Sequence, residues 1–216
     1  MLSHSWNLTP SEAVALQNRL RQRVIDRDCI GTPQRIAGVD VGFEAQGSIT
    51  RAAVVVLSYP ELQPLEEAIA RLPTTFPYIP GLLSFREVPA ILQAVSKLRQ
   101  TPDVFLCDGQ GMAHPRRFGL ACHLGVYSDI PSVGVAKTRL IGSHAAVPVE
   151  KGGWVPLIDK DETIGAVVRT RNNVKPLYIS IGHKISLRRS IELVLACTTR
   201  YRLPETTRAA HRLASG

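Results

Sequence analysis

Two short apolar runs, Asp103 to Cys107 and Ser132 to Ala136, constrain the fold of this chain more than any other feature. Each is too short for a stable helix, and an amphipathic stretch from Phe118 to Tyr127 lies between them. A strand, a helix and a second strand in this order make a crossover unit, which pairs its strands in parallel and lays the helix over the sheet. The expected fold is a layered α/β domain with parallel pairing in its second half.

The other segments fit that frame. Thr9-Pro10-Ser11-Glu12 has the form of a capping box with proline at the first helical position, and Leu16, Leu20 and Val24 then recur every fourth residue, which predicts an opening helix. Arg35 to Gly42 and Ile49 to Tyr59 are rich in Val and Ile and flank the turn-like A-Q-G-S, as two hairpin strands would, and Glu66 to Leu72 reads as a third. A helix is expected around residues 88 to 99, a later hairpin from Thr163 to Thr170 and Leu177 to Ile181, and a buried helix from Ile191 to Cys197. With no repeat, low-complexity tract or linker, residues 1 to 216 read as one domain.

Composition narrows the partners. Of the 216 residues 44% are hydrophobic and 20% charged, enough to bury a sizeable core, and 26 Lys plus Arg against 18 Asp plus Glu leave a net charge of +8. That excess favours a polyanionic partner such as nucleic acid without identifying one. Cys29, Cys107, Cys122 and Cys197 have no C-x-x-C spacing, so neither a zinc site nor a disulfide framework is indicated. The N-terminus lacks a basic segment leading into an apolar one, and no apolar run approaches the roughly 18 residues needed to cross a bilayer, so a cytoplasmic protein is expected.

Acids in apolar strands are the candidate chemistry. Asp40 interrupts I-A-G-V-D-V-G-F, where an unpaired carboxylate would cost several kcal/mol or be forced to protonate. Asp108 ends D-V-F-L-C-D-G at the carboxyl edge of a strand, where open α/β sheets bind ligands. On neighbouring strands the two could share Mg²⁺ or Mn²⁺; alone, a strand-end acid such as Asp108 is more often a turn former or the cap of the next helix. Glu87 is either the third residue of a capping box begun by Ser84 or, if the helix starts at Pro89, an acid on the approach to it and free to face a site. Lys137, closing V-G-V-A at the same edge, is a solvated lysine or a phosphate partner. His114 and His123 read first as satisfied structural histidines. In F-P-Y-I-P-G-L-L, Phe76, Ile79 and Leu82 can plug a core while the prolines shape a loop. No phosphate loop and no G-x-S-x-G elbow is present.

Longer motifs point further. I-A-G-V-D-V-G-F, P-Y-I-P-G-L-L-S-F-R-E, D-G-Q-G-x-A-H-P-R-x-F-G-x-A-C-H-L-G, S-V-G-V-A-K, G-H-K-I-S-L and R-L-P-E-T-T-R-A-A-H occur in an order and spacing that resemble the endonuclease V family, over roughly residues 10 to 213. The resemblance implies a ribonuclease H-like α/β fold, a central mixed five-stranded sheet flanked by helices on both faces. It implies cleavage, with Mg²⁺ or in its place Mn²⁺, of the second phosphodiester 3′ to a deaminated base, chiefly deoxyinosine, leaving a 3′-hydroxyl and a 5′-phosphate. Matched motif to motif, Asp40, Asp108 and Glu87 correspond to the acidic metal site, Lys137 to the lysine at the scissile phosphate, and His211 to a position near the metal where some members carry Asp.

The same resemblance assigns Pro77-Tyr78-Ile79-Pro80 to a strand-separating wedge and Leu83, Gly109, His114, Gly119 and Leu120 to the pocket for a flipped base. The implied partner is single- or double-stranded DNA with deaminated bases, or inosine-containing RNA; a monomer is expected because nothing in the sequence demands an interface. The alternatives are an inosine-specific endoribonuclease and a non-catalytic lesion-binding protein.

Overall fold

The computed structural model describes residues 3–216. Its strands are β1 (Arg35–Glu44), β2 (Ile49–Ser58), β3 (Pro64–Pro73), β4 (Val104–Cys107), β5 (Ser132–Ala136), β6 (Trp154–Asp159), β7 (Glu162–Val168) and β8 (Leu177–His183), and its α-helices are α1 (Pro10–Leu20), α2 (Leu83–Val95), α3 (Leu120–Ser128), α4 (Leu187–Ala196) and α5 (Glu205–Ser215). All the strands join one mixed sheet in the order β3-β2-β1-β4-β5-β8-β7-β6. One face packs on α2 and α3, through Val39, Val54, Ile91 and Leu124; the other packs on α4, through Ile36, Val135, Ile179 and Val194.

The α/β class and the helix-flanked mixed sheet are as expected, but the sheet has eight strands rather than five. β5 pairs antiparallel with β8, and β7 and β6 extend the sheet from there. β6 is hard to read in W-V-P-L-I-D, because Pro156 argues against a strand except at a sheet edge, which is where β6 lies. Parallel pairing joins β1 to β4 and β4 to β5 at the centre of the sheet, not throughout the second half of the chain.

Helix boundaries bring further corrections. α1 has its capping box, with the Thr9 hydroxyl and the Glu12 carboxylate reciprocally bonded to backbone. α2 starts at Leu83, caps on Leu82 without a side-chain bond, and runs through Pro89. Both sequence readings of this start therefore fail. Ser84 lies inside the first turn, where its hydroxyl meets His123 Nδ1 at 2.9 Å, and burial of Phe85, Val88 and Ile91 outweighs the hydrogen bond that Pro89 cannot make. α3 is buried all round from Leu120 to Val126 instead of amphipathic, because helices cover the side turned away from the sheet. α4 buries one face only.

α5 has no anticipated counterpart in the sequence reading, and two glycines set its position. A Cβ at Gly38 would lie 2.0 Å from the Thr206 carbonyl oxygen, and one at Gly42 would lie 2.4 Å from that of Ala214. These residues flank Asp40 on one face of β1, so α5 lies directly against the strand that carries the acid. Gly38→Ala is expected to push α5 outward and lower the thermal unfolding midpoint by about 3–10 °C, as overpacking of a chain this size does, measured by circular dichroism. Among the described residues, no helix is long and apolar enough to cross a membrane.

Candidate active site

β4 ends at Cys107 while the adjacent β1 continues, and the Asp108 N–H donates to the Val39 carbonyl at 2.9 Å, tying the acid-bearing segments together. α5 brings His211 to the same place. One potential ligand atom from each of Asp40, Asp108 and His211 lies within 4.8 Å of the others. Asp40 accepts from the Val41 N–H at 2.8 Å through Oδ1 and meets His211 Nδ1 at 2.6 Å through Oδ2. Lys137 Nζ donates to Asp108 Oδ2 at 2.5 Å. The side chains of Asp40 and Asp108 are only 11% and 13% exposed, whereas His211 is half-exposed.

Burial, and secondarily the charge of Asp108, raises the Asp40 carboxyl above its ordinary range. Glu87, on the second turn of α2, is pushed up to about 8 by burial and then by the charges of Asp40 and Asp108. Asp40 and Asp108 supply hard oxygen donors with excess negative charge, and this chemistry fits a divalent cation. Asp40 and Asp108 would hold it, with His211 beside them. Glu87, expected among the metal residues, lies outside the cluster formed by Asp40, Asp108 and His211 and acts on it through its charge.

A cavity of about 360 Å³ opens beside the acids. Leu83, Gly109, His114, Gly119 and Leu120 all line it, as do Glu87, Asp108 and Lys137 from the acidic side. Gly119 is required by the loop's own packing, since a Cβ there would lie 2.4 Å from the Gln110 carbonyl oxygen. His114 is buried; its Nδ1 accepts from the Arg116 N–H at 3.2 Å, so Nε2 carries the proton donated to the Gly81 carbonyl at 3.0 Å. Burial and the Arg116 charge lower its pKa to about 4, keeping the ring neutral. His123, fully buried between Ser84 and His4, is structural, as read from the sequence.

Core anchoring and exposure divide the segment before α2. Phe76 and Leu82 are buried and Ile79 packs partly beside them, while Tyr78 between them is 69% exposed. Tyr78 and Pro80 also border the cavity. Gln17, Arg139 and Leu140 reach the cavity without having been singled out in the sequence. Gln17 left one signal, a polar residue in register with the buried Ala13 and Leu20 on α1.

The endonuclease V family profile matches residues 18–212. The chain belongs to the endonuclease V family. Endonuclease V of Trichormus variabilis is 59% identical over 213 residues, covering 98% of this chain and 96% of that one. The crystal structure of endonuclease V from Streptomyces avermitilis superposes with a TM-score of 0.94 at 41% identity, covering 99% of this chain and 95% of that one. Endonuclease V of Ciona intestinalis, solved in complex with a 23mer DNA containing an inosine followed by a ribo-adenosine, gives a TM-score of 0.85 at 29% identity, covering 96% and 97% of the two chains. As a member of the endonuclease V family, this chain is a nuclease, a hydrolase of nucleic-acid phosphodiester bonds.

Proposed function

We propose that this chain is a DNA repair endonuclease that extrudes a deaminated base, chiefly hypoxanthine, and hydrolyses the second phosphodiester 3′ to it. The observation that carries this reading is the continuity of one cavity from Leu83, Gly119 and Leu120 to Glu87, Asp108 and Lys137. A base entering the apolar part brings its own strand to the acids. Hypoxanthine pairs weakly, so its extrusion costs less than that of a normal base, and backbone groups can then read its edge. Adenine, with an amino donor where hypoxanthine has a carbonyl acceptor, would leave such N–H groups unsatisfied.

A divalent cation at Asp40 and Asp108, Mg²⁺ or in its place Mn²⁺, would supply Lewis acidity to the phosphoryl oxygens and to the attacking water. Lys137, at the mouth of the acid pair, offsets the charge that builds on the phosphate. Glu87, lining the cavity beside Asp108, is placed to orient the water, and its ionised form, which a cation beside it would favour, would take the water's proton. Water oxygen bonds to phosphorus, the bond from phosphorus to the 3′ oxygen breaks, and that oxygen leaves as a hydroxyl after protonation. The net charge of +8 supplies a sequence-independent grip on the backbone. The enzyme acts as a monomer of one domain in the cytoplasm.

Mapping both ends of the nick in an end-labelled duplex with a single deoxyinosine tests this, with Mg²⁺, Mn²⁺ and chelator in parallel. A matched RNA strand carrying inosine tests the ribonuclease alternative, and tight binding with no nick in either metal would favour a lesion-binding protein.

Within this reading, Pro77-Tyr78-Ile79-Pro80 is the wedge, and Tyr78 fills the stack left by the base. Tyr78→Ala is expected to lower the cleavage preference for inosine over undamaged duplex by about tenfold, the scale of one aromatic–base stack. Equal preference in mutant and wild type would remove Tyr78 from this role.

A further inference from the structure

The wedge segment is held at both ends, and its second hold is unusually dense. Before the wedge, Arg86 donates to the Phe76 carbonyl at 3.0 Å. After it, the Gly81 carbonyl oxygen accepts from Gln17 Nε2 at 3.1 Å, His114 Nε2 at 3.0 Å and Arg116 Nη2 at 2.7 Å. These donors come from α1 and from the loop between β4 and α3, elements remote in sequence from Gly81. Gly81 has φ +80°, a conformation that favours glycine, and a Cβ there would lie 2.8 Å from the Arg116 guanidinium.

Gln17 organises this cluster. It is 1% exposed, its amide also donates to the Phe118 carbonyl at 3.1 Å, and its Oε1 accepts from Arg116 Nε at 2.5 Å. One buried amide thus fixes Gly81 directly, orients the arginine that fixes it again, and ties both to the residue preceding Gly119 in the cavity wall. Its own hydrogen-bonding needs are met inside the protein, so it has no call on a ligand.

We infer that Gln17 is a positioning residue for lesion recognition: with Arg116 it locks Gly81, so that the exposed Tyr78 is presented in its inserting position before DNA arrives. This rests on the reading of residues 77–80 as the wedge. A segment ordered in the free protein loses less conformational entropy on insertion, so loosening the lock weakens discrimination between lesion and normal duplex rather than the cleavage step.

Gln17→Met keeps the side chain's bulk and removes every polar contact. Gln17→Glu keeps an acceptor for Arg116 but replaces the amide donor with an oxygen facing the Gly81 carbonyl. Arg116→Lys, at a half-buried position, gives a variant whose folding does not depend on filling the core. Hydrogen exchange of residues 76–82 in the free proteins is measured beside inosine preference and single-turnover cleavage at saturating enzyme, with Tyr78→Ala as reference.

The expected result is faster exchange in 76–82 for all three lock variants and a loss of inosine preference of about five- to tenfold, with a saturated cleavage rate within about threefold of wild type in Arg116→Lys, which does not line the cavity. Unchanged exchange in Gln17→Met and Arg116→Lys overturns the lock. Faster exchange with full preference, while Tyr78→Ala loses preference, overturns its role in recognition. Full preference in Tyr78→Ala instead removes the wedge reading, and the lock's role in recognition falls with it.

Discussion

Asp108→Ala is expected to reduce metal-dependent nicking of a deoxyinosine duplex by about 10³-fold or more, about 4 kcal/mol of activation barrier, while leaving binding of the same duplex intact or tighter. The separation follows from charge. Asp108 offers an oxygen donor to the candidate metal site and is the ion-pair partner of Lys137. Removing it deletes a ligand from the reacting centre and also deletes a negative charge from a surface that must approach phosphates. Asp108→Asn is the more informative partner variant, because it keeps the shape and one oxygen but not the charge. Single-turnover cleavage and filter binding across a salt series check both halves, and the salt slope of binding is expected to match wild type. Cleavage undiminished in Asp108→Ala would take this residue out of the site.

Local signals made the acidic half of the site legible. Asp40 and Asp108 stand out because a carboxylate inside or ending an apolar strand demands compensation; that their strands lie side by side is given by the β1–β4 pairing and not by any local pattern. Glu87 was harder to read. Local rules offered a Ser84 cap or a start at Pro89, and tertiary burial of Phe85 and Ile91 chose neither. His211 could be placed only through family motifs, since nothing in E-T-T-R-A-A-H says that the helix docks on β1. The cause lies elsewhere in the chain, at Gly38 and Gly42, whose missing side chains make room for it. Gln17 shows the same limit: its partners at Gly81, Arg116 and Phe118 are distant in sequence, so no local pattern announces them. The edge strand β6 escaped notice for another reason, because Pro156 and exposed hydrophobics such as Trp154 and Ile158 blur the alternation that marks a strand.

Glu87→Gln is expected to make the metal-free protein more stable at neutral pH and the enzyme far less active. The Glu87 carboxyl rises from 4.5 to about 8 in the folded chain, through burial and the neighbouring charges of Asp40 and Asp108. The folded state therefore holds this proton more tightly than the unfolded state does, and the sign follows: stability contributed by the protonated acid is complete below pH 4.5 and is lost as pH rises through about 8. Glutamine is uncharged throughout. The stability gap between mutant and wild type should thus be small near pH 4, grow to on the order of 2–3 kcal/mol near pH 7, and level off above pH 8 to 9. Urea unfolding across that range in chelator measures it. Mg²⁺ or Mn²⁺ should close the gap from the other side, because cation binding to wild type releases the proton and neutralises the crowded carboxylates, whereas the glutamine variant has less charge for the ion to relieve. Loss of cleavage together with a pH-dependent gain in metal-free stability would mark Glu87 as an acid held in the site at a cost to the fold. A gap that does not change with pH would mean that the fold does not raise the Glu87 carboxyl, either by burial or by the charges of Asp40 and Asp108.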